Sequence, residues 1–275
     1  MDPGQRQPHT RSSLGGDLAR LGVTAGSVLL VHASLRSIGW VAGGAVAVLQ
    51  AIRDVLGPDG TLVAPAFTGD YTDPQDWHRP PVPEHWWPVI RQDMPAFDPE
   101  RTPSAGMGAI AECLRAWPGS RRSAHPNMSF TALGPHAARL VSEHPLDFGF
   151  GPRSPLGRLY EIDAKVLLLG VGYDRCTCFH LAEARWPGTR ETTARAPVLR
   201  GGRRVWATFL DHLYNDRDFG DIGAAFEAGN RVAHGRVGGA DCRLLPLRPA
   251  VDFALAWLAR NRKPAIPPGT DKGSS

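Results

Sequence analysis

Residues 27–67 read SVLLVHASLRSIGWVAGGAVAVLQAIRDVLGPDGTLVAPAF. Three signals follow one another in this stretch. Ser27–Ala33 is an unbroken apolar run, as in a strand buried on both faces. Gly43–Leu56 places Val46, Leu49, Ile52, Val55 and Leu56 at helical spacing, and Gly57-Pro58-Asp59-Gly60 stops it. Thr61–Phe67 reads as a second strand. Strand, helix, strand in this order is a βαβ unit and favours a parallel sheet.

Outward from this unit the alternation continues. Gly106–Trp117 and Pro135–Ser142 read as helices, and Met128–Leu133 as a short strand. Lys165–Val171 is the clearest buried strand of the second half, followed by a short helix over Thr177–Arg185. Gly201-Gly202 lies between two β-rich runs in Pro197–Leu210, a hairpin signal. Phe219–Asn230 and Pro249–Arg260 read as helices, with Arg231–Val237 and Asp241–Leu247 as strands between them. The expected fold is α/β. It has a central, mainly parallel sheet flanked by helices, a smaller antiparallel C-terminal part and a long substrate-facing loop. Residues 14–263 form one domain, and 1–13 and 264–275, rich in Pro, Gly and Ser, read as disordered tails.

The chain has 275 residues, 42% hydrophobic and 21% charged, which is ordinary globular usage. No apolar run approaches the ~18–20 residues of a membrane span. The polar start lacks the apolar stretch of a signal peptide. Four cysteines make no disulfide scaffold. A net charge of +4 without clustered basic runs does not mark a nucleic-acid binder. These features point to a cytoplasmic protein with no membrane or nucleic-acid partner, as monomer or homodimer. Its charge is uneven. Residues 66–100 hold seven acids and two arginines, a balance of −5 that leaves +9 elsewhere. Trp77, Trp86 and Trp87 share that segment. Acids interleaved with indoles suit a cationic ligand, although a solvated, Pro-stiffened loop has the same composition.

Several motifs bear chemistry. The turn from His32 to Gly44 joins the first strand to its helix, where open α/β sheets bind ligands. Its small residues, with Arg36, fit a phosphate cradle or an ordinary turn. Gly170-Val171-Gly172 is not a dinucleotide fingerprint, since the third glycine falls at Arg175. His180 and Glu183 stand at i and i+3 on one helix face, the spacing of a base and its orienting carboxylate, or of a surface pair. Thr177 lies one turn earlier. His125 and Ser129 make a weak hydrolase motif, because no G-x-S-x-G occurs. Cys176, Cys178 and His180 lack the spacing of a zinc site, and no metal is expected.

Together these segments resemble the aminoglycoside 3-N-acetyltransferase family. The resemblance rests on Val31-His-Ala-Ser-Leu-Arg-Ser-Ile-Gly39, Gly57-Pro-Asp-Gly-Thr-Leu62, Ala96-Phe-Asp-Pro99 with Thr102-Pro103, and Gly106-Met-Gly108. It continues in Ser123-Ala-His-Pro126, Ser129-Phe130, Ser154-Pro-Leu-Gly157, Leu167–Gly172 and His180-Leu-Ala-Glu183. It implies acetyl transfer from acetyl-CoA to the 3-amino group of 2-deoxystreptamine aminoglycosides, and thus antibiotic resistance, the alternatives being acetylation of another amine metabolite or non-catalytic aminoglycoside binding. It implies His180 as base, Glu183 as its partner and Thr177 as a hydroxyl near the thioester. It places coenzyme A on Ser34, Leu35, Arg36, Ser37, Ile38, Gly39, Val41 and Gly43, with Met107. Asp70 is the first candidate for the cationic drug, followed by Tyr71, Asp73, Glu183, Asp211 and Glu227. Family members commonly carry Asn-Thr-Ser where this chain has Cys176-Thr177-Cys178. Cys176 cannot replace the hydrogen bonds of an Asn.

Overall fold

The computed structural model describes residues 7–78, 80–229 and 232–264. It opens with helix α1 (Arg11–Leu21), strand β1 (Val28–Ala33), the short helix α2 (Leu35–Ile38), α3 (Gly44–Leu56) and β2 (Thr61–Pro65). The middle holds α4 (Trp87–Asp93), α5 (Gly108–Arg115), β3 (Arg121–Arg122), β4 (Phe130–Leu133), α6 (Ala137–Val141) and α7 (Pro155–Glu161). β5 (Lys165–Leu169), α8 (Phe179–Arg185), β6 (Glu191–Arg200), β7 (Arg203–His212), α9 (Phe219–Gly229), β8 (Ala233–Val237), β9 (Ala240–Pro246) and α10 (Leu247–Asn261) complete it.

Seven strands form the main sheet in the order β3-β4-β2-β1-β5-β9-β8. Its centre, β2-β1-β5, is parallel. Antiparallel strands extend both edges. The apolar runs are explained by burial on both faces. Leu30, Val166 and Leu168 enter one core with Phe130, Leu156, Phe179 and Leu245. Leu29, Val31, Leu167 and Leu169 enter the other, with Leu14, Leu18, Leu49 and Ile52. Burying each such leucine stabilises the fold by about 2 kcal/mol.

The hairpin expected around Gly201-Gly202 is β6-β7, a separate two-stranded sheet. The acidic segment 66–100 packs on it. Phe97 N donates to Pro197 O at 2.9 Å, and Arg204 Nε donates to Met94 O at 2.5 Å. The segment is less irregular than its sequence, since it contains α4, a helix starting beside Pro88. The stretch 7–13 is also ordered rather than frayed. Thr10 caps α1 through a capping box with Ser13, and His9 bridges to Val41. The remaining tail residues, 1–6 and 265–275, lie outside the described residues.

Candidate active site

β1 leads to β2 on one side and borders β5 on the other, so connections diverge at the carboxyl ends of β1 and β5. A crevice opens at such a point. Ser34 N donates to Leu169 O at 2.9 Å, and Ser34 caps α2 by accepting from Ser37 N. Ser37 Oγ donates to Gly170 O at 2.9 Å. Gly170 has φ +68°, and a Cβ there would lie 2.5 Å from that of Ser37. This close approach, not a dinucleotide, accounts for the Gly-Val-Gly turn. Gly43, at φ +89°, turns the chain into α3.

The crevice has a volume of about 810 Å³. Its walls include His32, Ser34, Leu35, Arg36, Met107, Asn127, Phe150, Thr177 and His180. Of the residues assigned to coenzyme A, Ser34, Leu35, Arg36 and Met107 face it. Ser37 fastens the turn, Ile38 and Val41 are core residues, and Gly39 and Gly43 supply positive φ.

α8 sets the central pair. His180 Nδ1 lies 2.6 Å from Glu183 Oε2. Glu183 is fully buried. Its Oε1 accepts from Asn215 N at 3.0 Å and pairs with Arg262. The His180 ring stacks on Phe150 with centroids 4.7 Å apart and an interplanar angle of 3°. Tyr214 and Phe219 flank it. His180 Nε2 has no hydrogen-bond partner among the described residues, and the residue borders the crevice. An imidazole fixed by its Nδ1 carboxylate, with Nε2 free, is the arrangement of a general base.

Thr177 is placed by its neighbours. Cys176 and Cys178 point into the apolar core with their sulfurs 3.4 Å apart. Burial pushes the Cys176 thiol up. Neither cysteine lines the crevice, whereas Thr177 between them does. Its Oγ1 is 3.5 Å from His32 Nδ1. Burial, reinforced by repulsion from His180, lowers His32 to about 3, so it is neutral. Among the described residues no cluster of three His, Cys, Asp or Glu groups could hold a metal ion.

The proposed drug carboxylates separate into groups. Asp70 is exposed, between crevice-lining Gly69 and Thr72. Tyr71 accepts from Asn127 Nδ2 at 2.7 Å through its carbonyl, and its ring meets Phe97. Asp73 is buried under Arg91, which donates to it at 2.7 Å. Glu227 lies away from the crevice, in an ion pair with Arg243 and 3.0 Å from His234 Nε2. Asp73 and Glu227 are therefore neutralised by the protein's own side chains. Asp211 is buried too. Desolvation raises it to about 6, against hydrogen bonds from the His212 backbone and Tyr214. Asp174 and Asp216, on the walls, escaped sequence reasoning. So did Arg262, Asn215 and Tyr214, because only the fold brings them beside α8. His125 and Ser129 are structural. His125 Nδ1 accepts from Asn127 N and Met128 N, and Ser129 Oγ donates to Ala66 O at 2.7 Å.

Comparison with known proteins identifies the family. The aminoglycoside 3-N-acetyltransferase family matches residues 30–259. The SPbeta prophage-derived aminoglycoside N(3')-acetyltransferase-like protein YokD of Bacillus subtilis is 47% identical over 92% of this chain and 94% of its own. The crystal structure of YokD superposes with a TM-score of 0.93, covering 95% of this chain and 97% of that one at 46% identity. AAC-VIa bound to sisomicin has a TM-score of 0.84 at 36% identity, covering 94% of this chain and 100% of its own. AAC-IIIb in a binary complex with CoASH has a TM-score of 0.84 at 32% identity, covering 95% and 100%. The match spans the sheet, the crevice and the His180–Glu183 helix alike, so the chain belongs to the aminoglycoside 3-N-acetyltransferase family.

Proposed function

We propose that the protein transfers acetyl from acetyl-CoA directly to the 3-amino group of 2-deoxystreptamine aminoglycosides, with His180 as general base. The observation that carries this reading is the 2.6 Å His180–Glu183 pair on the crevice wall, with Nε2 unengaged. Neutral His180 keeps its proton on Nδ1, toward Glu183, and its Nε2 lone pair takes a proton from the attacking amine. The amine nitrogen bonds to the thioester carbon, the C–S bond breaks, and the proton passes to the departing thiolate. Thr177 O–H donates to the carbonyl oxygen as it gains charge. His32 Nδ1–H can hold Thr177 Oγ1, and the threonine proton, which otherwise reaches Arg175 O at 3.5 Å, turns to the oxyanion.

The relative solved with CoASH supports coenzyme A as co-substrate. Arg36 and the exposed Arg175 stand at the crevice for its phosphates, above Ser34, Leu35 and Met107. The relative bound to sisomicin supports a cationic drug. Asp70 and Asp216 supply negative charge for it, with Asp174 exposed and paired with Arg175 at 3.1 Å, and Glu183 acts through His180. Direct transfer has no use for Cys178, which lies in the core.

The test is CoA release across aminoglycosides that keep or lack a free 3-amino group, with the acetyl position read by NMR. Turnover confined to drugs with that amine, acetylated there, is the expected result. Turnover of drugs lacking it, or of unrelated amines only, would reject the assignment.

A further inference from the structure

Arg262 lies just past α10 and beyond the residues matched by the family. No sequence motif marks it, yet it makes three contacts around the active site. Nη1 pairs with Glu183 Oε1, Nε meets Asp218 Oδ2 at 2.8 Å, and Nη2 donates to Asn215 O at 2.8 Å. Its side chain is only 14% exposed. Asn215 N returns to the same Glu183 oxygen at 3.0 Å. One guanidinium therefore ties the base's carboxylate to the 215–218 loop, whose Asp216 lines the crevice.

We propose that Arg262 is a positioning residue for acetyl transfer: it fixes Glu183 against His180, sets the proton affinity of that pair, and braces the Asp216 wall. The proposal rests on the reading of His180 as base. Its physical basis is charge. Glu183 alone would strongly favour a protonated His180, and Arg262 offsets that pull, keeping Nε2 free to accept. Asp218 competes for Arg262 and works in the opposite sense.

Other groups also face His180. His32 on β1, His212 on β7 and Tyr214 are held neutral, mainly by burial. Asp211 on β7, raised to about 6 by burial, Asp216 in the loop and Asp174, paired with Arg175 at the rim, are the acidic neighbours. None of them pairs with Arg262 directly, and of them only Asp216 belongs to the loop that Arg262 braces.

The experiment is NMR titration of 13C-histidine-labelled protein, with the His180 signal assigned through H180N. Circular dichroism checks folding. In R262M the His180–Glu183 pair takes up its proton roughly one pH unit higher, whichever member carries it. In D218N the midpoint moves lower. R262K restores the charge and the wild-type midpoint. Its single ammonium cannot span Glu183, Asp218 and the Asn215 carbonyl, so the KM for aminoglycoside stays several-fold raised. A role confined to stability predicts one unchanged midpoint in all three proteins, and that result would overturn the proposal. If R262M does not fold, the D218N shift and the R262K split decide. Retained activity in H180A, with the midpoint shifts present, would refute the base and leave the Arg262 coupling standing.

Discussion

Thr177 contributes one hydroxyl to the crevice, between two cysteines whose sulfurs are committed to the core. Thr177→Val removes that hydroxyl and keeps the branched shape. Loss of one oxyanion donor costs about 10²–10³ in kcat. The variant is expected to fall in that range, with the KM for acetyl-CoA within a few-fold and stability within about 1 kcal/mol. An unchanged kcat would remove Thr177 from the chemistry. The same residue explains how Cys176 and Cys178 are tolerated near His180. A side chain pointing into apolar packing has to be small and satisfied, and a thiol is both. His180 and Glu183 were legible because their spacing lies within one helix. Asp174, Asp216 and Arg262 were not, because they meet the site only through the packing of loops and α10 on α8. Asp73 and Glu227 carry the right chemistry in sequence, but whether an acid is already paired with an arginine is a tertiary fact.

At the scale of elements, hydrophobic pattern located the strands well. β1, β2 and β5 are buried on both faces and read as unbroken apolar runs. Short helices fared worse. α2 and α7 have too few turns for a period, and α4 carries no buried residue. The loops between β3 and β4 and between α6 and α7 are held together by histidines rather than by regular structure. His144 Nδ1 meets Ser123 Oγ at 2.9 Å, and His144 Nε2 meets Gly149 O at 2.8 Å. His125 Nε2 meets Leu146 O at 3.1 Å, and the two rings lie 4.8 Å apart. Burial lowers His125 to about 4 and His144 well below its ordinary value. The unfolded chain therefore binds more protons than the folded one once pH falls below about 6.5. Stability from these neutral histidines is complete above that value and is lost as pH falls toward 4. The urea midpoint is expected to drop steadily from pH 7 to pH 5, before most carboxylates titrate. A flat midpoint over that interval would show that the histidines are not held neutral.

For the whole molecule, the crevice lies where the strand connections diverge, and charge divides around it. The acidic segment 66–100 does not present all its carboxylates to a ligand: Asp73 is consumed by Arg91, and the segment is anchored to the β6-β7 hairpin. Asp70 remains exposed beside the crevice, and Asp174 and Asp216 join it from elsewhere in the chain. Arg36 and Arg175 border the same space. One opening thus brings cations and carboxylates around the unengaged Nε2 of His180. The most direct test is the turnover of His180→Ala with acetyl-CoA and an aminoglycoside bearing a free 3-amino group, with CoA affinity measured in parallel. A loss of about 10²–10⁴ in kcat is expected, with acetyl-CoA still bound normally. Turnover within a few-fold of the parent protein would contradict it.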